Sequence, residues 1–290
     1  MKEEYDHNKD FVNLTYRCNS KCISCIMTQR ALQEEKSFGQ IKMEIDNILN
    51  HSDHIAFNGG EPTLNPDLFK ILEYTNKKKR NVEISLLSNS RMFSNSRYLN
   101  RLNSLKLENF KILTSLYGHN ARLHDSITRT PGSFDQQINA IKNLIDSKIR
   151  IELRIVINKL NYKCLDDIAR FIIGNFKKED FFSIVFVNMK IYGEAHKNRD
   201  IVTYKISEIM PYVEKSVKRL LKSRFNVHLF HFPHCVLPEP FWHLSKGVTA
   251  ERTEICFLPE CEHCLKREDC SGIWKGYASL FGAEEFNPIR

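Results

Sequence analysis

The sequence predicts an α/β protein in which a partial (β/α)6 barrel is followed by a small cysteine-rich C-terminal domain. The first observation is periodicity: short β-rich apolar runs alternate with longer segments of helical period from residue 11 to about residue 190. The second is a change of composition, because five of the nine cysteines fall within 36 residues after residue 225. We therefore expect two domains, residues 1–224 and residues 225–290.

Six strands and five intervening helices are predicted in the first domain. The strands are predicted at residues 11–16, 54–57, 82–87, 111–115, 151–157 and 181–187, and the helices near residues 40–50, 66–79, 97–104, 134–147 and 162–175. Alternation of this kind indicates a parallel sheet with helices outside it. Six units do not close an eight-unit barrel, so we expect a partial barrel with its chemistry at the carboxyl ends of the strands.

The C-terminal part of the chain combines one more helix with a segment of different character. Apolar residues recur at helical spacing from residue 202 to residue 224. After residue 225 that periodicity fades, while prolines, histidines and cysteines become frequent. A segment with so little periodic apolar pattern is expected to be organised by a metal.

Composition and charge limit the class of protein. Hydrophobic residues make up 42% of the 290 residues and charged residues 27%, as in ordinary globular proteins. The mixed charges of residues 1–10 do not indicate a secretory signal, and the longest apolar run is too short to cross a bilayer. The net charge of +8 is spread over short runs that favour solvated helix ends over a nucleic-acid partner. We expect a cytoplasmic protein whose cysteines bind metal, with no membrane partner.

The first cysteine group, Cys18, Cys22 and Cys25, directly follows the first predicted strand. Three thiolates at this spacing can hold a [4Fe-4S] cluster and leave one of its irons without a protein ligand. That iron could bind a cofactor or a substrate. Zinc is the alternative metal, but a closed zinc site requires four ligands and no partner pair of cysteines lies nearby.

The spacing C-x3-C-x2-C after a first strand resembles the signature of the radical S-adenosylmethionine (SAM) superfamily. This resemblance implies that Cys18, Cys22 and Cys25 ligate the cluster and that the open iron binds SAM. A reducing partner such as flavodoxin or ferredoxin would supply the electron that splits SAM into methionine and a 5′-deoxyadenosyl radical. One departure is Ser24, which stands where many members of the family have an aromatic residue beside adenine.

Later strand ends carry further similarity to the family. The segment Asn58-Gly59-Gly60-Glu61-Pro62 resembles the GGEP motif that meets the methionine part of SAM, and Ser88-Asn89-Ser90 resembles a strand-end Thr-Asn-Gly. The resemblance implies a cofactor site formed by Gly59, Gly60, Glu61, Pro62, Ser88, Asn89, Ser115 and Arg154. Two alternatives stay open: Ser-Asn-Ser is also common turn chemistry, and Arg154 could form a structural ion pair with Glu152 on the same strand face.

The second cysteine group contains Cys256, Cys261, Cys264 and Cys270, with Cys235 upstream. Its C-x2-C-x5-C spacing resembles the auxiliary-cluster domains, called SPASM or twitch domains, that follow the barrel in many radical SAM enzymes. Trp274 stands where the next cysteine is expected, so one auxiliary [4Fe-4S] cluster is predicted. Four of the five cysteines would bind it, with Cys256 favoured over Cys235. Structural zinc is the alternative.

The resemblance implies a radical SAM enzyme that abstracts hydrogen from a substrate. Because this architecture is common among maturases of ribosomally made peptides, a peptide is the predicted substrate, by analogy. The alternatives are a small molecule or a tRNA as substrate and, in a different class, a non-catalytic module with zinc at both cysteine groups. Cys164, in a predicted helix, is expected to be a buried thiol.

Overall fold

A computed structural model describes residues 10–27, 34–246 and 252–290. Residues 1–9, which belong to the charged N-terminal segment that does not indicate a secretory signal, lie outside these ranges. Eight parallel strands form one sheet in sequential order, with β1 and β8 at its two edges. These strands are β1 (Phe11–Asn13), β2 (His54–Asn58), β3 (Glu83–Leu87), β4 (Phe110–Ser115), β5 (Arg150–Ile157), β6 (Ser183–Asn188), β7 (Val227–Phe230) and β8 (Ser245–Lys246).

Helices connect the strands and cover one face of the sheet. They are α1 (Phe38–Leu49), α2 (Leu68–Lys78), α3 (Ser96–Ser104), α4 (Ala121–Thr128), α5 (Ser133–Asp146), α6 (Leu165–Asn175), α7 (Glu194–Lys197), α8 (Arg199–Val202) and α9 (Ile206–Lys222). The six predicted strands and the six predicted helices are confirmed within a few residues at each end. The short helix α4 was missed because its eight residues carry too few apolar repeats to show a helical period.

Side chains alternate along β5, and this alternation explains why the sheet has one apolar face and one polar face. Ile151, Leu153 and Ile155 are fully buried against the helices. Glu152 and Arg154, between them, point to the opposite face, because successive residues of a strand face opposite sides of a sheet. The hydrophobic core therefore lies between sheet and helices, and the polar face is left for the site.

Two strands extend the sheet beyond the six that the sequence predicts. β7 pairs with β6, with Val227 opposite Ile184, and β8 pairs with β7, with Ser245 opposite Leu229. Both lie after residue 224, so the sheet continues past the predicted domain boundary. The sequence did not reveal them because β7 has four residues and β8 only two, too few for a period-2 pattern.

The cysteine-rich tail adds an antiparallel pair, β9 (Ile255–Cys256) and β10 (Ile273–Trp274), and a last helix, α10 (Lys275–Phe281). The Trp274 indole donates a hydrogen bond to the carbonyl of Asn188, the last residue of β6, at 3.2 Å. The Tyr277 hydroxyl accepts one from the Ile206 backbone N–H at 2.8 Å. The tail is thus attached to the barrel through buried contacts.

Over the three described ranges, every helix is too short or too polar to span a bilayer.

Candidate functional site

The loop that carries Cys18, Cys22 and Cys25 leaves the carboxyl end of β1 and lies against the loop after β2. The Gly60 N–H donates to the Thr15 carbonyl at 2.7 Å, and the Glu61 N–H donates to the Arg17 carbonyl at 2.8 Å. A Cβ on Gly60 would lie 2.2 Å from the Arg17 oxygen, and one on Gly59 would lie 2.4 Å from the Thr15 oxygen. Any side chain at these two positions would therefore push the cysteine loop away.

Helices α4 and α7 also form hydrogen bonds with the cysteine loop. Within it, the Lys21 and Ile23 N–H groups donate to the carbonyls of Thr128 and Ile127, at the end of α4, at 3.0 and 2.9 Å. The Cys25 carbonyl accepts a hydrogen bond from the Glu194 N–H, at the start of α7, at 2.8 Å. All nine cysteines of the chain lie in the described residues; the three of this loop are half-buried and none of the nine forms a disulfide.

Glu61 is a buried carboxylate that connects the ends of β2 and β3. Its side chain, only 1% exposed, accepts hydrogen bonds from the Thr63 N–H and hydroxyl at 3.1 and 2.6 Å. It also accepts from the Ser88 hydroxyl at 2.6 Å and from the Asn89 N–H at 2.7 Å. Burial raises the pKa of Glu61, and these four donors oppose the rise.

Asn89 and Arg91 extend this network to the cysteine loop. The Asn89 side-chain amide donates to the Asn19 side-chain oxygen at 2.7 Å. The Arg91 guanidinium donates to the Asn19 carbonyl at 2.7 Å and to the Ser20 hydroxyl at 3.1 Å. The strand-end residues predicted to touch the cofactor thus also fix the segment between Cys18 and Cys22. No sequence pattern indicated Arg91, since its partners lie about seventy positions earlier in the chain.

The aromatic ring of Tyr117, two residues after Ser115, lies near the three thiols of the cysteine loop. The Tyr117 hydroxyl shares a hydrogen bond with the Ser115 side chain. Burial and the nearby Cys22, Cys25 and Cys18 raise the pKa of Tyr117 well above its ordinary value. Tyr117 is therefore a neutral phenol beside the cysteine loop, and the sequence analysis assigned it no role.

Arg154 lies on the polar face of β5 and is paired with Glu152. Its Nε donates to the Glu152 carboxylate at 2.7 Å, and Glu152 is 1% exposed. The ion pair that the sequence left as an alternative is present. The pair occupies one edge of the guanidinium, so the opposite edge points away from Glu152 and could bind an anion.

The second cysteine group surrounds a cavity in the tail. The cavity has a volume of about 370 Å³ with its open mouth included, and the cysteines lining it are Cys235, Cys261, Cys264 and Cys270. Cys256, on β9, is not among the lining residues. Burial raises the pKa of Cys235 to about 12, and its neighbours Cys270 and Cys261 add to the rise. Cys235 is therefore grouped with the three later cysteines.

The spacing of the thiols bears on which metal centre they fit. Among the described residues, three Cys, His, Asp or Glu ligand atoms lie within 4.8 Å of one another only at His119, Cys164 and Asp167. Neither cysteine group meets that limit among the described residues. A single tetrahedral zinc ion would bring its sulfurs to roughly 3.8 Å from one another, whereas a four-iron cluster places several metal ions between them.

Comparisons with known protein families and proteins agree with the features of the first cysteine group described above. A family model described as the radical SAM superfamily matches residues 12–172. Fe-coproporphyrin III synthase from Methanosarcina barkeri is 25% identical over 280 residues, 93% of this chain and 66% of that protein. Mycofactocin maturase MftC from Mycobacterium tuberculosis is 29% identical over 159 residues, 54% of this chain and 39% of that protein. The chain thus spans less than two thirds of the length of either relative.

Among solved structures, Streptococcus suis SuiB bound to the precursor peptide SuiA superposes with a TM-score of 0.61. The superposition covers 76% of this chain and 48% of that one, at 16% sequence identity. At that identity the likeness shows a shared fold.

Proposed function

Because the chain belongs to the radical SAM superfamily, whose members use a [4Fe-4S] cluster and SAM, we propose that it abstracts hydrogen from a peptide substrate during maturation. Cys18, Cys22 and Cys25 would hold the cluster. When bound and reduced, the cluster supplies the electron that cleaves SAM to methionine and a 5′-deoxyadenosyl radical. A flavodoxin or ferredoxin would be the electron donor, and the thiol ligands suit the reducing cytoplasm.

The observation that supports this proposal best is the fixed conformation of the cysteine loop. Hydrogen bonds from the loop after β2, from Asn89 and Arg91, and from α4 and α7 all converge on residues 15–25. A loop held at so many points presents its three thiols in one arrangement before any cluster binds. This preorganisation is what a site with three protein ligands and one exchangeable position requires.

The residues around the loop suggest how the chain would hold SAM. Gly59, Gly60 and Pro62 shape the loop after β2, and Glu61, Ser88 and Asn89 form one buried network behind the cysteines. We assign this network a positioning role, because its polar atoms are largely engaged with one another. Arg154 would bind the carboxylate of SAM through its outer edge, and Ser115 with Tyr117 would border the adenosine part.

For the tail, we propose one auxiliary [4Fe-4S] cluster held by Cys235, Cys261, Cys264 and Cys270. The supporting observation is that these four cysteines line one cavity, which Cys256 does not. The apolar remainder of that cavity, including Phe257 and Phe286, would shield the cluster from water. This set differs from the one that sequence spacing favours, in which Cys256 takes the place of Cys235.

A peptide is the substrate we favour, because one similar protein is named a maturase and SuiB, which shares the fold, was crystallised with a precursor peptide. A small molecule is the second candidate. It is favoured by one observation, the similarity of 93% of the chain to Fe-coproporphyrin III synthase, whose name gives an iron tetrapyrrole as its product. A ribosomal precursor peptide and an iron tetrapyrrole are therefore the two substrate classes to compare.

The test is anaerobic reconstitution with iron and sulfide, followed by iron counting and an assay of 5′-deoxyadenosine release under dithionite. We expect about eight irons per wild-type chain. Replacing Cys18, Cys22 and Cys25 together by Ala should remove about four irons and abolish release. The matched control replaces Cys261, Cys264 and Cys270 by Ala, which should also remove about four irons but leave release measurable.

Absence of iron and of 5′-deoxyadenosine from the reconstituted wild type would refute the proposed chemistry. For the substrate, release is measured with a panel of short ribosomal precursor peptides and, separately, with a panel of iron tetrapyrroles. Stimulated release with a mass change in a peptide supports the peptide proposal. Stimulation and a mass change with an iron tetrapyrrole alone would replace it with the second candidate.

A further inference from the structure

Three metal-binding side chains converge outside both cysteine groups. His119 lies in the segment between β4 and α4, Cys164 directly precedes α6, and Asp167 lies in the first turn of α6. One ligand atom from each lies within 4.8 Å of the other two. Both segments follow the carboxyl ends of neighbouring strands, which is why residues more than forty positions apart meet here.

The separation of these atoms is close to what one metal ion needs. Zinc binds sulfur at about 2.3 Å and nitrogen or oxygen at about 2.0–2.2 Å, so tetrahedral ligands lie roughly 3.3–3.8 Å apart. The three atoms lie no more than 4.8 Å apart, so their separations exceed the tetrahedral values by at most about 1.0–1.5 Å. We expect changes of side-chain rotamer to bring them to binding distance. His119 and Cys164 are half-buried, and the Asp167 side chain is 49% exposed, so the ion could enter from solvent.

His119 supplies a second, independent observation. Its Nδ1 is buried and has no hydrogen-bond partner. Its Nε2 lies 2.8 Å from the side-chain amide nitrogen of Asn120, which holds the ring in place. A buried ring nitrogen without a partner is unfavourable, and a bond to a metal ion would satisfy it. Binding through Nδ1 puts the ring proton on Nε2, so the Asn120 amide nitrogen would move away from Nε2 while the Asn120 side-chain oxygen keeps its bond from the Leu123 N–H.

The backbone that carries the three residues is rigid. A Cβ on Gly118 would lie 2.8 Å from the His124 backbone nitrogen, so this turn requires glycine. The Asn161 side chain donates to the Tyr117 carbonyl at 3.2 Å, which joins the segment before Cys164 to the segment before His119. The Asn120 side chain caps α4 by accepting from the Leu123 N–H at 3.0 Å. The ligands therefore need no large reordering to bind an ion.

Ordinary structural roles account for only part of this arrangement. Asp167 suits the first turn of a helix, where an acid is favourable, and one of its oxygens lies 3.7 Å from Arg170. Cys164 alone could be a half-buried thiol. Neither role explains why both side chains meet a histidine whose buried nitrogen has no partner.

We infer that His119, Cys164 and Asp167 form a binding site for a divalent transition-metal ion, with Zn²⁺ as the best match. One nitrogen, one sulfur and one oxygen are ligands that zinc accepts together, and a fourth position would be open to water. The ion would tie the loop after β4 to the loop after β5, next to Tyr117. This site is separate from both cluster sites and does not depend on the proposed substrate.

The test uses enzyme whose iron–sulfur clusters are already assembled, so that zinc cannot occupy the cluster cysteines. The protein is incubated anaerobically with zinc sulfate, passed over a chelating resin and analysed for zinc and iron per chain. We expect about one retained zinc in the wild type and at least a tenfold loss of zinc affinity in His119→Ala, Cys164→Ser and Asp167→Asn. The X-ray absorption spectrum should show one sulfur at about 2.3 Å and otherwise nitrogen or oxygen.

Matched controls are Asp135→Asn, which removes an exposed acid from the first turn of α5, and His196→Ala, which removes a histidine from α7. Both should retain zinc like the wild type. Melting temperatures without zinc show whether each variant folds, and Asp167→Asn alters an exposed side chain that folding does not need. The inference is overturned if the wild type retains no zinc, if the three variants retain as much as the wild type, or if the bound zinc has three or four sulfur ligands. The iron count on the same samples reports separately on the clusters.

Discussion

Replacing Glu61 by Gln tests whether the buried network behind the cysteine loop is built around a carboxylate. The amide has one oxygen, which can keep the three hydrogen bonds that Oε1 accepts from Thr63 and Ser88. Its NH2 group then faces the Asn89 N–H, which now donates to Oε2 at 2.7 Å. The hydrogen bond to Oε2 is replaced by two opposed donors, which leaves buried polar groups unsatisfied at a cost of about 1–3 kcal/mol.

Relief from burying a charge offsets part of this loss, because burial disfavours the ionised form of Glu61. We therefore expect a net destabilisation of about 2 kcal/mol in Glu61→Gln. For a chain of 290 residues, whose unfolding entropy is about 2.1 cal/mol/K per residue, this lowers the melting temperature by about 3 °C. The matched control is Glu73→Gln, which breaks an exposed ion pair with Lys77 at 2.6 Å and should cost less than about 1 kcal/mol.

The pH dependence of the same variant follows from the raised pKa of Glu61. Between the ordinary carboxyl pKa and the raised one, the folded state holds a proton that the unfolded state has lost, so stability falls as pH rises through that window. Gln does not titrate. The difference in melting temperature between wild type and Glu61→Gln should therefore be largest below the ordinary carboxyl pKa and narrow as pH rises.

The assay is anaerobic differential scanning fluorimetry from pH 4 to pH 8, since the clusters are sensitive to oxygen. A Glu61→Gln melting temperature equal to that of wild type would show that Asn89 does not depend on the carboxylate. A difference that widens as pH rises would show that the four donors lower the pKa of Glu61 more than burial raises it, and would refute a raised pKa.

Two further predictions concern the tail and the end of β3. Cys235→Ala should lower the iron content by about four per chain and Cys256→Ala should leave it unchanged; the reverse result would restore the ligand set that spacing favours. Ser90→Gly should raise the melting temperature by about 2–4 °C, because Ser90 is fully buried at φ +64° and its hydroxyl has no hydrogen-bond partner. An unchanged or lower melting temperature would show that the left-handed backbone costs less than the added freedom of glycine.

Helices and strands could be predicted where apolar residues recur at a regular spacing in the sequence. Runs such as residues 151–157 alternate buried and polar side chains over a full strand, and the predicted bounds differ from β5 by one residue. β8 could not be predicted, since its two residues are a strand only because β7 lies beside them. Tertiary pairing, not local sequence, creates such an element.

The candidate site was predictable where its residues are close in sequence. Cys18, Cys22 and Cys25 share one loop, so their spacing alone indicated a metal centre. The contacts that hold this loop could not be predicted, because Arg91 and Asn19 are 72 positions apart in the chain. The grouping of Cys235 with the later cysteines could not be predicted either, because it depends on the position of the end of β7 relative to the tail.

The position of Cys235 also bears on how the cysteine-rich tail relates to the barrel. Cys235 follows β7, which is a full member of the parallel sheet, while the other three cysteines around the cavity come from residues 261–270. The cavity is thus built between a segment continuous with the sheet and the tail that folds over it, and the Trp274 indole bonds the tail to the end of β6. A division of the chain at residue 224 would remove β7 and expose the hydrogen-bonding edge of β6. A cluster in this cavity would therefore stabilise the carboxyl end of the sheet as well as the tail, at the end of the strands from which the loop with Cys18, Cys22 and Cys25 also emerges.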